Sequence, residues 1–522
     1  MIADARTRTG VVAALVFLAT LAIDVPLLPS GVSIGDQAEA QTVPYLLGIM
    51  HPTGFPLFTL AGWAWSHALP IGTVAWRMNA FSALCTAAMA AGVVLLAAAL
   101  ESTLAAAAFA ALAFAFGATV WAGAIAVNGQ ELSAACSVFA LGAAVRYARG
   151  GPAGALVAAC ALCGCGIAAH PSSIWIVPAI AAALWCRREG IAVRLLAAAF
   201  AALVLPLLCY AYVPLRGAAV APPGVAALGG APPVDPRSLD WEGTPPNSST
   251  GVIDKVLGRN EHAGEAVLRA FDPRAYPAAA LAWARIAREQ YGLVLPLLAI
   301  AGAAVLAWRD RRAFGVLTAG TLGGLLFAYA YRDDAHIDRY YLLAFAVTAA
   351  LAAALTRALP AARFARPAAA ALLALLAALA LAGNRPDPKP RYLDDGEAVI
   401  AAVRRDLPDN AIVIAQWNEA NALRYGAFVE GVLGGRTIVA GWPGSFEDRY
   451  PVWMRTRPLF FYVSPLGRRS LFPWAWRIEG WPSSRTPFLV LRVLAHSTRP
   501  SDWRSPRRRA TTNRPAGGRR PN

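Results

Sequence analysis

Residues 35–58 read GDQAEAQTVPYLLGIMHPTGFPLF. Two acids, Asp36 and Glu39, stand three positions apart, ahead of the pair His51-Pro52, two further prolines and interleaved aromatics. The stretch follows the first apolar run of the chain. It is therefore either a connector between membrane helices or a site that those helices hold.

Outward from this stretch, apolar runs recur at 11–30, 78–100, 103–122, 130–147, 153–170, 172–186, 191–213, 291–308, 313–331, 340–358 and 366–383. Most are close to the ~20 residues that cross a bilayer core. The chain is 57% hydrophobic and only 15% charged over 522 residues, less charge than a soluble protein of this size carries. The composition predicts an all-α polytopic membrane bundle of about eleven transmembrane helices. The first run lies behind Arg6 and Arg8 but lacks a small-x-small cleavage site, so it reads as a retained helix.

Charge orders these runs. Arg6/Arg8, Arg146/Arg149, Arg187/Arg188, Arg309/Arg311/Arg312 and Arg357/Arg363/Arg366 fall on one side of an eleven-span count, as the positive-inside rule asks. The turn at Glu101 falls there too and is neutral evidence. The N-terminus is then cytoplasmic, and the outer side receives the first loop 31–77, the large loop 214–290, the segment 332–339 and everything beyond 383. The expected location is a bacterial cytoplasmic membrane. No internal repeat is evident, and the irregular, proline-rich chain is concentrated in two outer loops. That asymmetry counts against a transporter built from inverted repeats.

Beyond the bundle, 384–496 alternates helical and strand patterns. LDDGEAVIAAVRRDLP and NEANALRYGAFVEG read as helices, and AIVIAQW, RTIVAG, PLFFYVS and PFLVLRVL read as strands. This predicts a small extracytoplasmic α/β accessory domain. Residues 497–522 are basic, with too little apolar surface to fold. Much of the net charge of +16 lies there, and a grip on anionic lipid or polymer explains it better than nucleic-acid binding. All seven cysteines lie within apolar runs. Cys160, Cys163 and Cys165 mimic a metal spacing, but no nearby pair completes four ligands, so they read as small packing residues.

Polar residues gather at the outer ends of the runs. Asp36, Glu39 and His51 follow the first; Asn128, Gln130 and Glu131 precede the fourth; His170 ends the fifth; Arg216 follows the seventh. YRDDAHIDRYY then brings Arg332, Asp333, Asp334, His336, Asp338 and Arg339 before the tenth. Charged groups at membrane depth are costly and mark function. Each also has a plain reading. Asp36 could cap the helix beginning near Ala38, and the arginines could be interfacial anchors. Asp333, Asp334 and Asp338 could solvate a loop or hold a divalent cation, though no spacing argues for a metal and no cofactor is expected. The sequon at Asn247 reads as incidental.

With these residues in view, the opening stretch resembles the protein O-mannosyltransferase-like family of multi-spanning membrane proteins. Bacterial members of that family were long known only as a domain of unknown function. The resemblance is carried by Gly35-Asp36, Glu39, Leu47-Gly48, His51-Pro52, Gly54, Pro56-Leu57, Arg77, Asn79 and Ser82. Thr53 and Phe55 replace a proline and a tyrosine of the pattern. Looser similarity covers Glu131, GIAAHPSS, YVPLRGAA, LDWEGTPPNSSTGV, IDRYYLL and DNAIVIAQWNEANALRYG.

The resemblance implies a GT-C glycosyltransferase fold whose first outer loop carries the catalytic acid. It also implies a polyprenyl-phosphate-linked sugar donor, with mannose the sugar suggested, and a protein or envelope-glycan hydroxyl as acceptor. Asp36 is then the base, with Glu39 a second carboxylate on the same helical face. Arg339 and Arg216 are candidates for the phosphate, with His51, His170 and Glu131 as further substrate-binding residues. A transporter or lipid-carrier flippase is the alternative, and a non-catalytic scaffold is a third reading.

Overall fold

A computed structural model describes residues 2–189, 191–220, 249–258, 263–331, 337–360, 364–387, 395–441, 450–463, 476–480 and 489–496. By backbone packing the chain divides into two compact units. The first comprises 1–224 and 235–397, the second 225–234 and 398–522. Arg332, Asp333, Asp334, His336, the sequon asparagine and the basic tail lie outside the described residues.

The first unit is helical. It begins with α1 (Ile2–Asp24), α2 (Gly35–Leu46), α3 (Pro56–Ala68), α4 (Val74–Ala99), α5 (Leu104–Ala115), α6 (Ala118–Ala124) and α7 (Gln130–Ala148). There follow α8 (Ala153–Ala169), α9 (Val177–Cys186), α10 (Val193–Val204), α11 (Tyr212–Val220), α12 (Ser249–Leu257), α13 (Ala263–Ala270) and α14 (Tyr276–Tyr291). Then come α15 (Val294–Arg309), α16 (Arg311–Ala330), α17 (Leu342–Ala354) and α18 (Ala365–Gly383), with a 3-10 turn, Ile337–Tyr341, leading into α17.

The expected count of eleven spans is not met by length and composition alone. Among the described residues, six helical segments are long and apolar enough to cross a membrane: Arg6–Leu27, Val74–Ala99, Val193–Gly217, Arg311–Ala330, Ile337–Arg357 and Ala365–Gly383. The pair α5 and α6 would make a seventh, and Ala153–Ala169, Pro171–Cys186 and Val294–Arg309 are apolar but shorter. The chain is thus an integral membrane protein in which part of the helical mass falls short of a full crossing.

The α5–α6 pair bends by 70° at its break. A break strips backbone groups of their helical partners, which an apolar medium does not tolerate. Buried Gln290 of α14 replaces them: its Oε1 accepts from Thr119 N at 2.8 Å and Val120 N at 3.3 Å, and its Nε2 donates to Phe114 O at 3.2 Å. Asn384 Nδ2 donates to Phe116 O at 3.1 Å. The bend is therefore built in by side chains distant in sequence.

The bundle core is rich in alanine, which lets helices close on one another. At Gly302 of α15, a Cβ would stand 1.9 Å from Leu351 O of α17. Glycine is required there for the two backbones to approach. Cys160 and Cys163 are buried in this core as packing residues.

The second unit holds a five-stranded sheet in the order β2-β1-β3-β5-β4, with β1 (Ile412–Ala415), β2 (Thr437–Ala440), β3 (Leu459–Val463), β4 (Trp476–Gly480) and β5 (Leu489–His496). β1 pairs parallel with both β2 and β3, whereas β5 pairs antiparallel with β3 and β4. α19 (Gly396–Asp406) precedes β1, α20 (Trp417–Phe428) crosses from β1 to β2, and α21 (Tyr450–Thr456) leads to β3. The sequence pattern missed α21 and β4, whose short, mixed stretches carry little periodicity. β1 and β3 are buried along their whole length, so they read as continuous apolar runs.

Candidate active site

The first loop, 31–77, is mostly helical. α2 begins at Gly35 with Asp36 in its first turn, and Ile34 stands at the N-cap position, so Asp36 is not the cap. The helix places Asp36 and Glu39 one turn apart on the same face. His51 returns to them through the turn after α2, and ligand atoms of Asp36, Glu39 and His51 all lie within 4.8 Å of one another.

Their partners differ. Glu39 is fully buried, and His51 engages both its oxygens: the His51 backbone N donates to Oε1 at 2.7 Å, and His51 Nδ1 contacts Oε2. Glu39 thus fixes the ring of His51 rather than facing a substrate. Asp36 is about one-third exposed, and its Oδ2 lies 3.7 Å from Arg339 Nη1. These two residues, 303 positions apart, were singled out separately from the sequence; the fold brings them together.

Other candidates stand beside them. Phe55 packs its ring between His51 (centroids 5.0 Å) and His170 (5.1 Å), and His170 in turn meets Tyr340 (5.7 Å). His170 Nδ1 accepts from Ser172 N at 3.1 Å, which assigns its proton to Nε2. Glu131, in the first turn of α7, is buried with Oε2 lacking a hydrogen-bond partner. Asp338 lies in the 3-10 turn with Arg339.

Arg216 has a different task. Its Nε donates to Leu47 O at 2.6 Å and Nη2 to Leu46 O at 3.3 Å, while Tyr212 OH donates to Leu47 O at 2.6 Å. α11 therefore caps the C-terminal carbonyls of α2, which end at Leu47 in the left-handed conformation. Arg216 holds the end of α2 from behind, and of the two arginines Arg339 is the one that reaches Asp36.

The rest of the motif is scaffolding. Arg77 donates to the carbonyls of Ser66, Ile71 and Gly72 at 3.0–3.1 Å, closing the turn between α3 and α4. Asn79 joins three segments: Nδ2 donates to Pro29 O, and Oδ1 accepts from Gln41 Nε2 and Val127 N. Ser82 Oγ donates to Gly123 O. Gln41, Asn128 and Gly129 complete the frame. A Cβ on Gly129 would meet the Phe55 ring at 2.6 Å, so glycine there lets Phe55 sit between the histidines. These supporting roles were invisible in sequence spacing, because each joins distant segments.

A cleft opens beside Arg339, lined by Gln130, Ser172, Trp175, Phe327, Tyr340 and Leu343 among others. A guanidinium at the edge of an aromatic and aliphatic cleft suits a ligand with an anionic head and an apolar body. Asp36, Glu39 and His51 are also the one group of possible metal ligands among the described residues. His51 and Glu39 satisfy each other, however, and Arg339 supplies positive charge to Asp36.

Residues 36–191 match the family model described as Protein O-mannosyl-transferase TMEM260 N-terminal domain. A protein O-mannosyl-transferase tmem260 of Dictyostelium discoideum is 42% identical over 55 residues, which is 10% of this chain and 7% of that protein. The Mus musculus TMEM260 is 39% identical over 64 residues, 12% of this chain and 9% of that one. The aligned part thus spans under a tenth of these relatives. Among solved structures, the apo Archaeoglobus fulgidus oligosaccharyltransferase aligns over 88% of this chain and 69% of its own, at 15% identity and a TM-score of 0.46. ArnT from Cupriavidus metallidurans bound to undecaprenyl phosphate aligns over 92% and 97%, at 14% identity and a TM-score of 0.41. Similarity at that level assigns no fold by itself. Over residues 36–191 the chain is similar to the N-terminal domain of the TMEM260 protein O-mannosyl-transferases, the family that its first loop resembles.

Proposed function

We propose that the chain is a GT-C-type membrane glycosyltransferase that moves a sugar, mannose in the first instance, from a polyprenyl-phosphate carrier to a hydroxyl acceptor. The acceptor is a protein or an envelope glycan, and the reaction runs on the extracytoplasmic face. The observation that carries this reading is the meeting of Asp36, which lies in the segment that matches the family model, with Arg339 at 3.7 Å, where Arg339 lines an aromatic cleft.

In this reading the acceptor oxygen attacks the anomeric carbon as Asp36 takes its proton. The bond from that carbon to the phosphate oxygen breaks, and its electron pair leaves with the carrier phosphate. Arg339 neutralises the charge that develops there. Glu39 acts as a positioning residue that holds His51. His51 and His170 flank Phe55, and in this reading their ring N–H groups orient sugar hydroxyls. Glu131 is a buried carboxyl for a further hydroxyl. Trp175, Phe327 and Tyr340 line the path of the polyprenyl chain.

No step requires a metal. The test incubates purified protein with polyprenyl-phosphate sugars and reads carrier release and glycosyl product. Mannose transfer that vanishes in Asp36→Asn supports the reading. Movement of carrier across vesicles without any glycosyl product would replace it with a flippase.

A further inference from the structure

The second unit leaves its two sheet ends in different states. At the amino ends of β1 and β2, two arginines claim six carbonyls. Arg436 donates to Leu433 O, Arg404 O and Leu407 O, and Arg457 to Asn410 O, Ala411 O and Gly435 O. At the carboxyl end of β1, the chain turns through Gln416, Trp417, Asn418 and Glu419 into α20. Gln416 takes the N-cap position without making a side-chain cap, and its Nε2 is buried without a hydrogen-bond partner. Glu419, in the first turn of α20, is 4% exposed, and its Oε2 is buried without a partner as well.

This end of the sheet is also where the topology reverses. From β1 the chain crosses to β2 on one side and then returns to β3 on the other. In open α/β sheets ligands bind outside the carboxyl ends of the strands at such a switch point. Two unpaired buried polar groups at the switch point are costly unless a ligand engages them.

The chemistry narrows the ligand. A carboxyl already occupies the first turn of α20, where an anion would otherwise sit. An apolar ligand would leave both polar groups unpaired. A vicinal diol both donates and accepts, matching the carboxyl oxygen of Glu419 and the amide N–H of Gln416 together. Asn418 is exposed while Gln416 and Trp417 are partly covered, so the turn grades from surface to buried carboxyl.

We propose that the β1–α20 turn, with Gln416 and Glu419, is a binding site for a neutral saccharide, separate from the Asp36 centre. The proposal stands independently of the transferase reading.

The test is saturation-transfer NMR on the full chain in detergent micelles, with methyl α-mannopyranoside as probe. Methylammonium and inorganic phosphate serve as cationic and anionic comparisons. The expected result is saturable transfer to the sugar, weakened at least tenfold by Gln416→Ala and by Glu419→Leu. Glu419→Leu should also raise the thermal midpoint, because it removes an unpaired buried carboxyl. Gln416 is only half-buried, so its variant decides the matter even where Glu419→Leu fails to fold. Absence of a saturable sugar signal overturns the proposal. So does a signal that survives both substitutions, or one elicited by methylammonium or phosphate and not by sugar.

Discussion

α7 and the segment containing α17 each run between two charged clusters, and the clusters are built on opposite terms. At one end, Arg149 after α7 and Arg357 after α17 share the same two acids. Arg149 Nε meets Asp310 at 2.7 Å and its Nη2 contacts Glu101, while Arg357 meets Glu101 at 3.0 Å and Asp310 at 3.1 Å. Two cations and two anions close on one another. At the other end, Glu131 opens α7 and Arg339 precedes α17, with Asp36 and Glu39 nearby. Among the described residues, Arg339 there meets Asp36 at 3.7 Å and lies within electrostatic reach of Glu131. α7 has 19 residues, so about 28 Å separates the two arrangements. A closed network serves stability. In the proposed mechanism Arg339 meets a charge that arrives with a substrate.

The largest effect should separate the two ends by activity. Asp36→Asn is expected to lower transfer by about 10²–10⁴-fold, the usual contribution of a general base, with unchanged thermal midpoint and membrane level. Asp310→Asn should leave turnover per folded molecule as it is. Equal losses in both variants would dissolve the distinction. Next in size, Arg339→Ala should raise the apparent KM for the polyprenyl-phosphate donor by about 10–100-fold. Arg339→Lys should recover only part of this, since a point charge lacks the bidentate fork. A donor KM unmoved by either variant would place the phosphate elsewhere.

Gly129→Ala sharpens the comparison from within the open end. Its methyl would push Phe55 from between His51 and His170, and about a tenfold loss of kcat is expected, with Arg339-dependent donor affinity retained. The closed end answers in stability instead: Asp310→Asn should cost about 1.5–3 kcal/mol by denaturant titration, the range for hydrogen bonds to charged groups. A chelator should leave transfer unchanged. Activity lost to chelation and restored by a divalent ion would make Asp36, Glu39 and His51 ligands.

The last expected effect concerns the second unit, which holds neither charged cluster. Burial pushes the Glu419 carboxyl from its ordinary 4.5 to about 7. The folded unit therefore holds this proton more tightly than the unfolded chain. That contribution to stability is complete below pH ~4.5 and is lost as pH rises through about 7. Thermal melts across that window should show a falling midpoint that flattens in Glu419→Gln.

Much of the candidate site was legible before folding. Asp36, Glu39 and His51 announced themselves because they stand close in sequence, on a polar stretch between apolar runs. Arg339 was visible as a cation at a span end. The scaffolding was not: Gln290 bridges a helix break 171 residues away from Thr119, and Arg216 was read as a phosphate ligand although its donors hold the carbonyls of Leu46 and Leu47. Polar residues at span ends look alike in sequence, and only their partners distinguish a cap from a contact. The expected span count is met only in part for a related reason. Apolar runs mark burial in lipid or in protein equally, and several here are too short or too broken to cross alone.

The sequence by itself determined that the chain is a helical membrane protein, that its first loop resembles a known family, and that an α/β segment follows, because hydropathy, periodicity and local motifs are written in neighbouring residues. Tertiary structure decided which charges meet. It paired Asp36 with Arg339, gave Glu39 to His51 and Arg216 to a helix end, and closed Arg149 and Arg357 around Glu101 and Asp310. Those pairings join residues tens to hundreds of positions apart, and Coulomb and hydrogen-bond energies depend on distance in space rather than along the chain.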